Sequence, residues 1–257
     1  EMTSSLVGSE MCIRDRCSCM MCIFSTPRLF AGVKELFPDD YAALRHDEEV
    51  LGFTLDNKKN LGIHGARKSG LHSAEGKYIL FFDQDDSLTD TAIASQYQYV
   101  KNADAVVSNG WVKDNTGTKR PLFIRHQQNR VNDVDLYFYI GNLIASPGMC
   151  LIRKDCIPNC WAQEEMKTNG ADDWLLWTGF LLDGRHFEIN PDFTYTHKSV
   201  GTNTSDDETK MIESSVEAAK IMQPYYLNEK FNKIYQRRLA MREMCTQKNN
   251  AFLKYLM

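Results

Sequence analysis

The chain has 257 residues, 43% of them hydrophobic and 25% charged, with a formal net charge of −4. Those values fit a folded protein with a sizeable core. They argue against nucleic-acid binding, which calls for a basic stripe with interleaved aromatics, and no window approaches the ~18 apolar residues of a membrane-spanning helix. The expectation is a cytoplasmic protein with no nucleic-acid partner and at most peripheral contact with the inner face of a membrane.

Eight cysteines are present, four of them between Cys12 and Cys22. Cys19-x-x-Cys22 has no second Cys/His pair at zinc-finger spacing, so reduced thiols are expected. The eleven residues from Leu6 to Arg16 resemble the in-frame translation of a transposase adapter used in sequencing libraries. Residues 1–16 are therefore set aside from fold reasoning, and the natural start of the chain is expected to lie upstream.

Residues 17–50 are poorly defined. Within them, Leu29 to Phe37 has helical spacing, and Pro38 is expected to end that helix. Val50 to Thr54 is a candidate strand. From Asn60 a glycine-containing segment enters a helix that continues to Ala74, with Arg67 offering a fork suited to phosphate oxygens. Next comes the most informative stretch, Lys77 to Phe82, an apolar run of the kind buried in a parallel sheet. It leads into Asp83, Asp85 and Asp86, three carboxylates within four positions. If the backbone stays extended, Asp83 and Asp85 share a face. Such oxygen ligands suit Mg²⁺ or Mn²⁺, and that metal suits a phosphate. The plainer reading is a turn whose acids cap the next helix.

Beyond the acids, Thr89 to Val100 has helical periodicity and Ala103 to Ser108 is a short strand. Asp114 to Gly117 marks a hairpin. Asp133 to Ile144 is expected to be helical, and Met149 to Arg153 extended. A helix is expected to start near Asp172-Asp173 and run to Leu182. Carboxylates at a helix start favour capping over catalysis on composition alone. Phe187 to Ile189 and Phe193 to His197 are expected as two short strands. From about Glu208 the character changes to long charged helices broken at Pro224, expected to form a C-terminal appendage over residues 206–257.

Taken in order, these blocks resemble the family-2 glycosyltransferases of GT-A fold. The resemblance runs through Asn60-x-Gly62, Ala66-Arg67-x-x-Gly70, Ala74-x-Gly76-x-Tyr78-Ile79 and Phe82-Asp83-x-Asp85-Asp86. It continues through Gly148 to Arg153, Asp172-Asp173-Trp174-x-Leu176-Trp177 and Tyr195-x-His197, spanning residues 51–205. It implies an α/β fold with a mixed, mostly parallel sheet flanked by helices, lacking its first strands here. It also implies inverting transfer of a sugar from a nucleotide-diphospho-sugar, such as a UDP-sugar, to a glycan or lipid-linked acceptor, assisted by Mn²⁺ or Mg²⁺. By position, Asp83 and Asp85 match the DxD pair, with Asp85 as the direct metal ligand, and Asp86 joins the donor site with Arg67. Asp173 matches the general base, beside Asp172 where the family usually has Glu. His197 matches a late histidine that completes the metal or diphosphate site. Lys68 and Thr196 depart from the family's usual residues, and its opening strand with the nucleoside-gripping acids is not recognisable. The alternatives are a glycosyltransferase-like module that binds without turnover, an inactive fragment, and a nucleotidyltransferase, which shares the metal–phosphate logic.

Overall fold

The computed structural model describes residues 11–12, 35, 38–39, 42, 62–83, 86–101, 103–113, 117–139, 141–198, 208–227 and 229–246. The candidate strand at Val50–Thr54, the Cys19/Cys22 pair and Asp85 lie outside these residues. Of the helix expected from Leu29, only Glu35 is described. It is helical, as are Pro38 and Asp39, and the residues between them lie outside the description.

The strands, in chain order, are β1 (Met11–Cys12), β2 (Tyr78–Ile79), β3 (Ser87–Leu88), β4 (Ala105–Lys113), β5 (Lys119–Pro121), β6 (Cys150–Arg153) and β7 (Phe187–Lys198). They form one sheet in the order β1-β2-β6-β4-β7-β3, with β5 hairpinned onto β4. Among the described residues, four of the six pairings are antiparallel; only β1/β2 and β4/β7 are parallel. The expectation of a mostly parallel sheet is corrected on this point. An apolar run announces burial but not strand direction, and β6 enters antiparallel between β2 and β4. Met11 and Cys12, inside the stretch set aside above, pair with Tyr78 and Ile79.

β7 is a single strand of 12 residues rather than two short ones. Its register against β4 shifts on either side of Asn109. Bulges of this kind accommodate Pro191, which supplies no N–H to a ladder. The hairpin expected at Asp114–Gly117 joins β4 to β5.

The helices are α1 (Gly62–Ser73), α2 (Ala92–Val100), α3 (Arg125–Gln128), α4 (Val134–Tyr139), α5 (Asn159–Gln163), α6 (Asp172–Leu182), α7 (Glu208–Met222) and α8 (Glu229–Thr246). α6 is the central one. Trp174 to Leu181 are all buried, which a helix achieves only when it is covered on every side. Trp177 packs edge-on against Phe180 and Phe187. Ala218, Ala219 and Met222 of α7 and Phe231 and Ile234 of α8 belong to the same core. The C-terminal helices are therefore part of the core rather than an appendage. No helix among the described residues is long and apolar enough to cross a membrane.

Two tertiary contacts set the approach to α6. Ser214 Oγ on α7 accepts the Ala171 N–H at 2.9 Å and donates to the Thr168 carbonyl at 3.0 Å. The Glu217 carboxylate accepts the N–H groups of Lys167 and Thr168 at 2.7 and 2.9 Å. On the far side of the same loop, Asn169 Oδ1 accepts the Ile63 N–H at the start of α1, at 2.9 Å. Gly62 permits this: its φ is +71°, and a Cβ there would meet Asn169 Oδ1 at 2.6 Å. Replacing Ser214 with Ala leaves the buried Ala171 N–H without its acceptor. It should lower the unfolding free energy by ~1–3 kcal/mol, measured by urea denaturation at matched m-values.

Candidate active site

The site is built from four segments: α1, the turn after β2, the start of α6 and the end of β7. The turn is not extended. Asp86 N–H donates to the Asp83 carbonyl at 3.2 Å, so the chain folds back between the two acids and then joins β7 through β3.

Arg67 projects from α1 and is 8% exposed. Its Nη1 donates to Asp172 Oδ2 at 2.6 Å and its Nη2 to Asp83 Oδ1 at 2.7 Å. One guanidinium thus ties the head of α6 to the acidic turn. Burial works against its charge, but Asp172 and Asp83 outweigh that and raise its pKa. Asp172 is buried and spends its carboxylate on Arg67. It does not cap: Ala171 holds the N-cap position, with no side-chain hydrogen bond.

Asp173 is only half-buried, and its Oδ1 accepts the Trp174 N–H at 2.7 Å. Its pKa is raised above the ordinary carboxylate range, first by burial and then by the neighbouring Asp172, while Arg67 and the Asn142 side chain pull the other way. Two adjacent acids thus have different environments, one locked to a guanidinium and one poised to take a proton. Separation of this kind is how paired carboxylates acquire distinct roles.

The second half of the site centres on Asp86, a buried residue. Its Oδ1 lies 3.0 Å from His197 Nδ1, and its Oδ2 accepts the Tyr195 hydroxyl. That hydroxyl also lies 2.7 Å from Ser146 Oγ. The arrangement is a carboxylate against one imidazole nitrogen, the kind of contact that orients the ring of metal-ligating histidines. The His197 side chain is 27% exposed and that of Asp83 31%, so both reach the surface of the site.

Of the residues singled out in the sequence, Arg67, Asp83, Asp172 and Asp173 form one connected group, and Asp86 with His197 forms a second, adjoining it through the turn. Asp85 is outside the described residues. Among the described residues no three His, Cys, Asp or Glu side chains form a ready metal cluster. Tyr195 and Ser146 were not assigned roles from sequence. The i, i+2 spacing of Tyr195 and His197 on a strand puts both on one face, and that was the available signal for Tyr195. Gly148 gave another: a Cβ there would meet the Tyr195 ring at 2.7 Å, so glycine is what lets the ring lie there.

Residues 44–160 match the family model Glycosyl transferase family 2. An uncharacterized glycosyltransferase of Methanocaldococcus jannaschii is 22% identical over 147 residues, 56% of this chain and 49% of its own length. The poly(ribitol-phosphate) beta-N-acetylglucosaminyltransferase TarP of Staphylococcus aureus is 26% identical over 187 residues, 67% of this chain and 55% of its own length. The chain thus spans about half the length of these relatives. The crystal structure of S. aureus TarS 1-349 superposes with a TM-score of 0.46 at 16% identity, covering 83% of this chain and 61% of that one. The model match covers less than half of the chain, and over those residues the sequence is similar to family 2 glycosyltransferases.

If the Asp86 triad orients a metal-binding imidazole, Tyr195→Phe should weaken Mn²⁺-dependent UDP binding by about 10–100-fold. Titration calorimetry with and without Mn²⁺ reads this, and an equal loss in both titrations would count against it.

Proposed function

We propose that this chain transfers a sugar from a nucleotide-diphospho-sugar, probed first as a UDP-sugar, to a hydroxyl of a glycan or lipid-linked acceptor, with inversion at the anomeric carbon. The observation that carries the reading is the division of labour at the head of α6. Asp172 is neutralised by Arg67, while Asp173 is left half-exposed with a raised proton affinity. A general base works best with a pKa near the operating pH. Asp173 then accepts the proton of the acceptor hydroxyl as that oxygen attacks the anomeric carbon and the nucleoside diphosphate departs. A single displacement inverts the centre and needs no protein nucleophile.

The donor's diphosphate belongs on the other side of the Arg67 bridge, at the acidic turn. A divalent cation, Mn²⁺ or Mg²⁺, suits the oxygen of Asp83 and the nitrogen of His197, with Asp85, outside the described residues, as the further ligand named by the sequence. When bound it would neutralise charge on the departing diphosphate. Asp86 and Tyr195 hold the imidazole in position for that task. In this reading Arg67 acts through the carboxylates it bridges, because its terminal nitrogens are already engaged by Asp83 and Asp172. The carrying of phosphate by Arg67 that the fork suggested is replaced by alignment of base and turn.

Donor hydrolysis or transfer with Mn²⁺ tests the activity, and absence of turnover with every nucleotide-sugar overturns it. Asp173→Asn should retain UDP–Mn²⁺ binding while losing transfer; loss of binding would point to a structural role. The pH dependence has a definite sign. Transfer needs the deprotonated base, so the rate should rise with pH along a limb lying well above the ordinary aspartate value of ~4. Removing the neighbouring charge in Asp172→Asn should move that limb to lower pH. Stability runs the opposite way. A carboxyl whose pKa is higher folded than unfolded stabilises fully below ~4, and that contribution is lost as pH rises through the folded value. Asp173→Asn should therefore raise the melting temperature at pH 8 and leave it nearly unchanged at pH 4.

A further inference from the structure

Between α4 and β6 the chain runs through Gly141-Asn142-Leu143-Ile144-Ala145-Ser146. Packing and hydrogen bonds fix its course. Gly141 has a φ of +119°, which glycine adopts freely, and donates its N–H to the Leu136 carbonyl at 3.3 Å. Leu143 and Ile144 are buried in the main core. At the far end, Ser146 Oγ accepts the Gly148 N–H at 3.2 Å and lies 2.7 Å from the Tyr195 hydroxyl. Through Tyr195 the segment is tied to Asp86 and His197.

The near end of the segment reaches the other half of the site. The Trp174 indole N–H donates to the Tyr137 carbonyl at 2.7 Å, which holds α4 against the first turn of α6. Asn142 comes soon after that contact, and its amide has a defined orientation. Oδ1 accepts the Ile144 N–H at 3.1 Å, so Nδ2 points the opposite way. The Asn142 side chain stands beside the Asp173 carboxylate and favours its ionised form. Yet Nδ2 is buried and, among the described residues, completes no hydrogen bond of ordinary geometry.

A buried amide donor without an acceptor is uncommon in a folded chain. The loop itself does not call for one, because the Ile144 contact uses Oδ1 alone and an aspartate would make it equally well. What Nδ2 adds is a donor beside the one carboxylate that the head of α6 leaves open. Asp173 already receives the Trp174 N–H on Oδ1 at 2.7 Å. Of its charged neighbours, Asp172 on the same helix opposes ionisation and Arg67 from α1 favours it. Arg67, however, is engaged by Asp83 and Asp172, so it bears on Asp173 by charge, whereas Asn142 can do so by contact. Catalytic hydrogen bonds are often long in a free enzyme and tighten when substrate is seated.

We propose that Asn142 is a positioning residue for the base: its Nδ2 donates to the Asp173 carboxylate when the acceptor is seated, and so aims the lone pair that takes the proton at the attacking oxygen. This rests on the reading of Asp173 as the base. Because the segment is also tied through Ser146 to Tyr195, the residue that sets the base shares its scaffold with the imidazole at the acidic turn.

The test is a carbon NMR titration of the Asp173 carboxyl in the full chain. It is paired with the pH profile of UDP release from UDP-glucose and UDP-N-acetylglucosamine with Mn²⁺, water serving as the acceptor. Asn142→Ala removes the donor and the Ile144 contact together, Asn142→Asp keeps that contact and removes the donor, and Asn142→Ser keeps a shorter donor. Asn142 favours the ionised carboxyl, so without it the base binds its proton more tightly. In Asn142→Ala the titration and the rising limb of kcat should both move to higher pH, by roughly one unit, the scale of one hydrogen bond to a charged group. On that limb kcat should fall about 10-fold, with KM for the donor unchanged. Asn142→Asp, which adds a like charge, should shift both further, and Asn142→Ser less. Titration and limb both unmoved in Asn142→Asp overturn the proposal, whether or not the melting temperature falls, as does a raised donor KM with the limb in place. Should Asn142→Ala fail to fold, Asn142→Asp carries the test, and the titration decides it without turnover. Full UDP release by Asp173→Asn would instead sink the reading of Asp173 as the base, and this inference with it.

Discussion

The double ion pair of Arg67 with Asp83 and Asp172 is the constraint on which the rest of the site depends. It joins segments that the chain separates by 16 and 105 residues, and it does so in a buried setting. A guanidinium there is held only because two carboxylates face it, and each carboxylate is held only because the guanidinium is present. Breaking such a buried arrangement from one side costs ~3–5 kcal/mol, whereas its net worth against an apolar replacement is small. Its value is therefore geometric. It fixes the head of α6 against the acidic turn, and it splits two adjacent aspartates into one spent and one poised.

The supporting structure makes sense from that bridge outward. α1 must present Arg67 at the right height, so its first turn is anchored to Asn169 in the loop that enters α6. That loop is held from its other side by Ser214 and Glu217 of α7. The N–H groups of Lys167, Thr168 and Ala171 are thereby satisfied without a side-chain cap at Ala171, and Asp172 is left for Arg67. His64, one turn before Arg67 and buried, completes the attachment. Its Nδ1 accepts the Met166 N–H at 3.0 Å and its Nε2 lies 3.0 Å from the Trp161 carbonyl. Burial lowers its pKa, and a ring that accepts at one nitrogen and donates at the other is neutral. His64 therefore adds no second positive charge beside Arg67.

Much of this was legible in the chain. The apolar run ending at Phe82, the cluster of acids after it, the start of α6 and the Tyr195-x-His197 pair all announced themselves through composition and period. What escaped had physical causes. Strand direction is not encoded in an apolar run, so the antiparallel entry of β6 could not be seen. The continuity of β7 through Pro191 was not legible because a bulge depends on the partner strand as much as on the proline. Whether residues 83–86 turn or stay extended was left open, because alternation and a turn look alike over four residues. Above all, the partners of a carboxylate are set by tertiary packing. Asp86 looks like Asp83 in sequence, yet it is buried against Tyr195 and His197 while Asp83 faces the Arg67 bridge.

The C-terminal helices show why a charged pattern misleads about function. α8 carries few apolar residues and reads as a solvated surface element, yet Phe231 and Ile234 dock it into the same core as α6. Once docked, it sets the long side chains two turns further on over Trp174 and Tyr139. An amphipathic helix of this kind does two things with one stripe. Its first apolar positions fix the register, and that register dictates which polar residue is laid over Trp174. The identity of residue 238 is thus not constrained by the stability of the docking contact, which Phe231 and Ile234 already supply, and an apolar side chain there would be the easier solution. An arginine whose buried Nε lacks a hydrogen-bond partner among the described residues is a local cost, offset in part by stacking on Trp174.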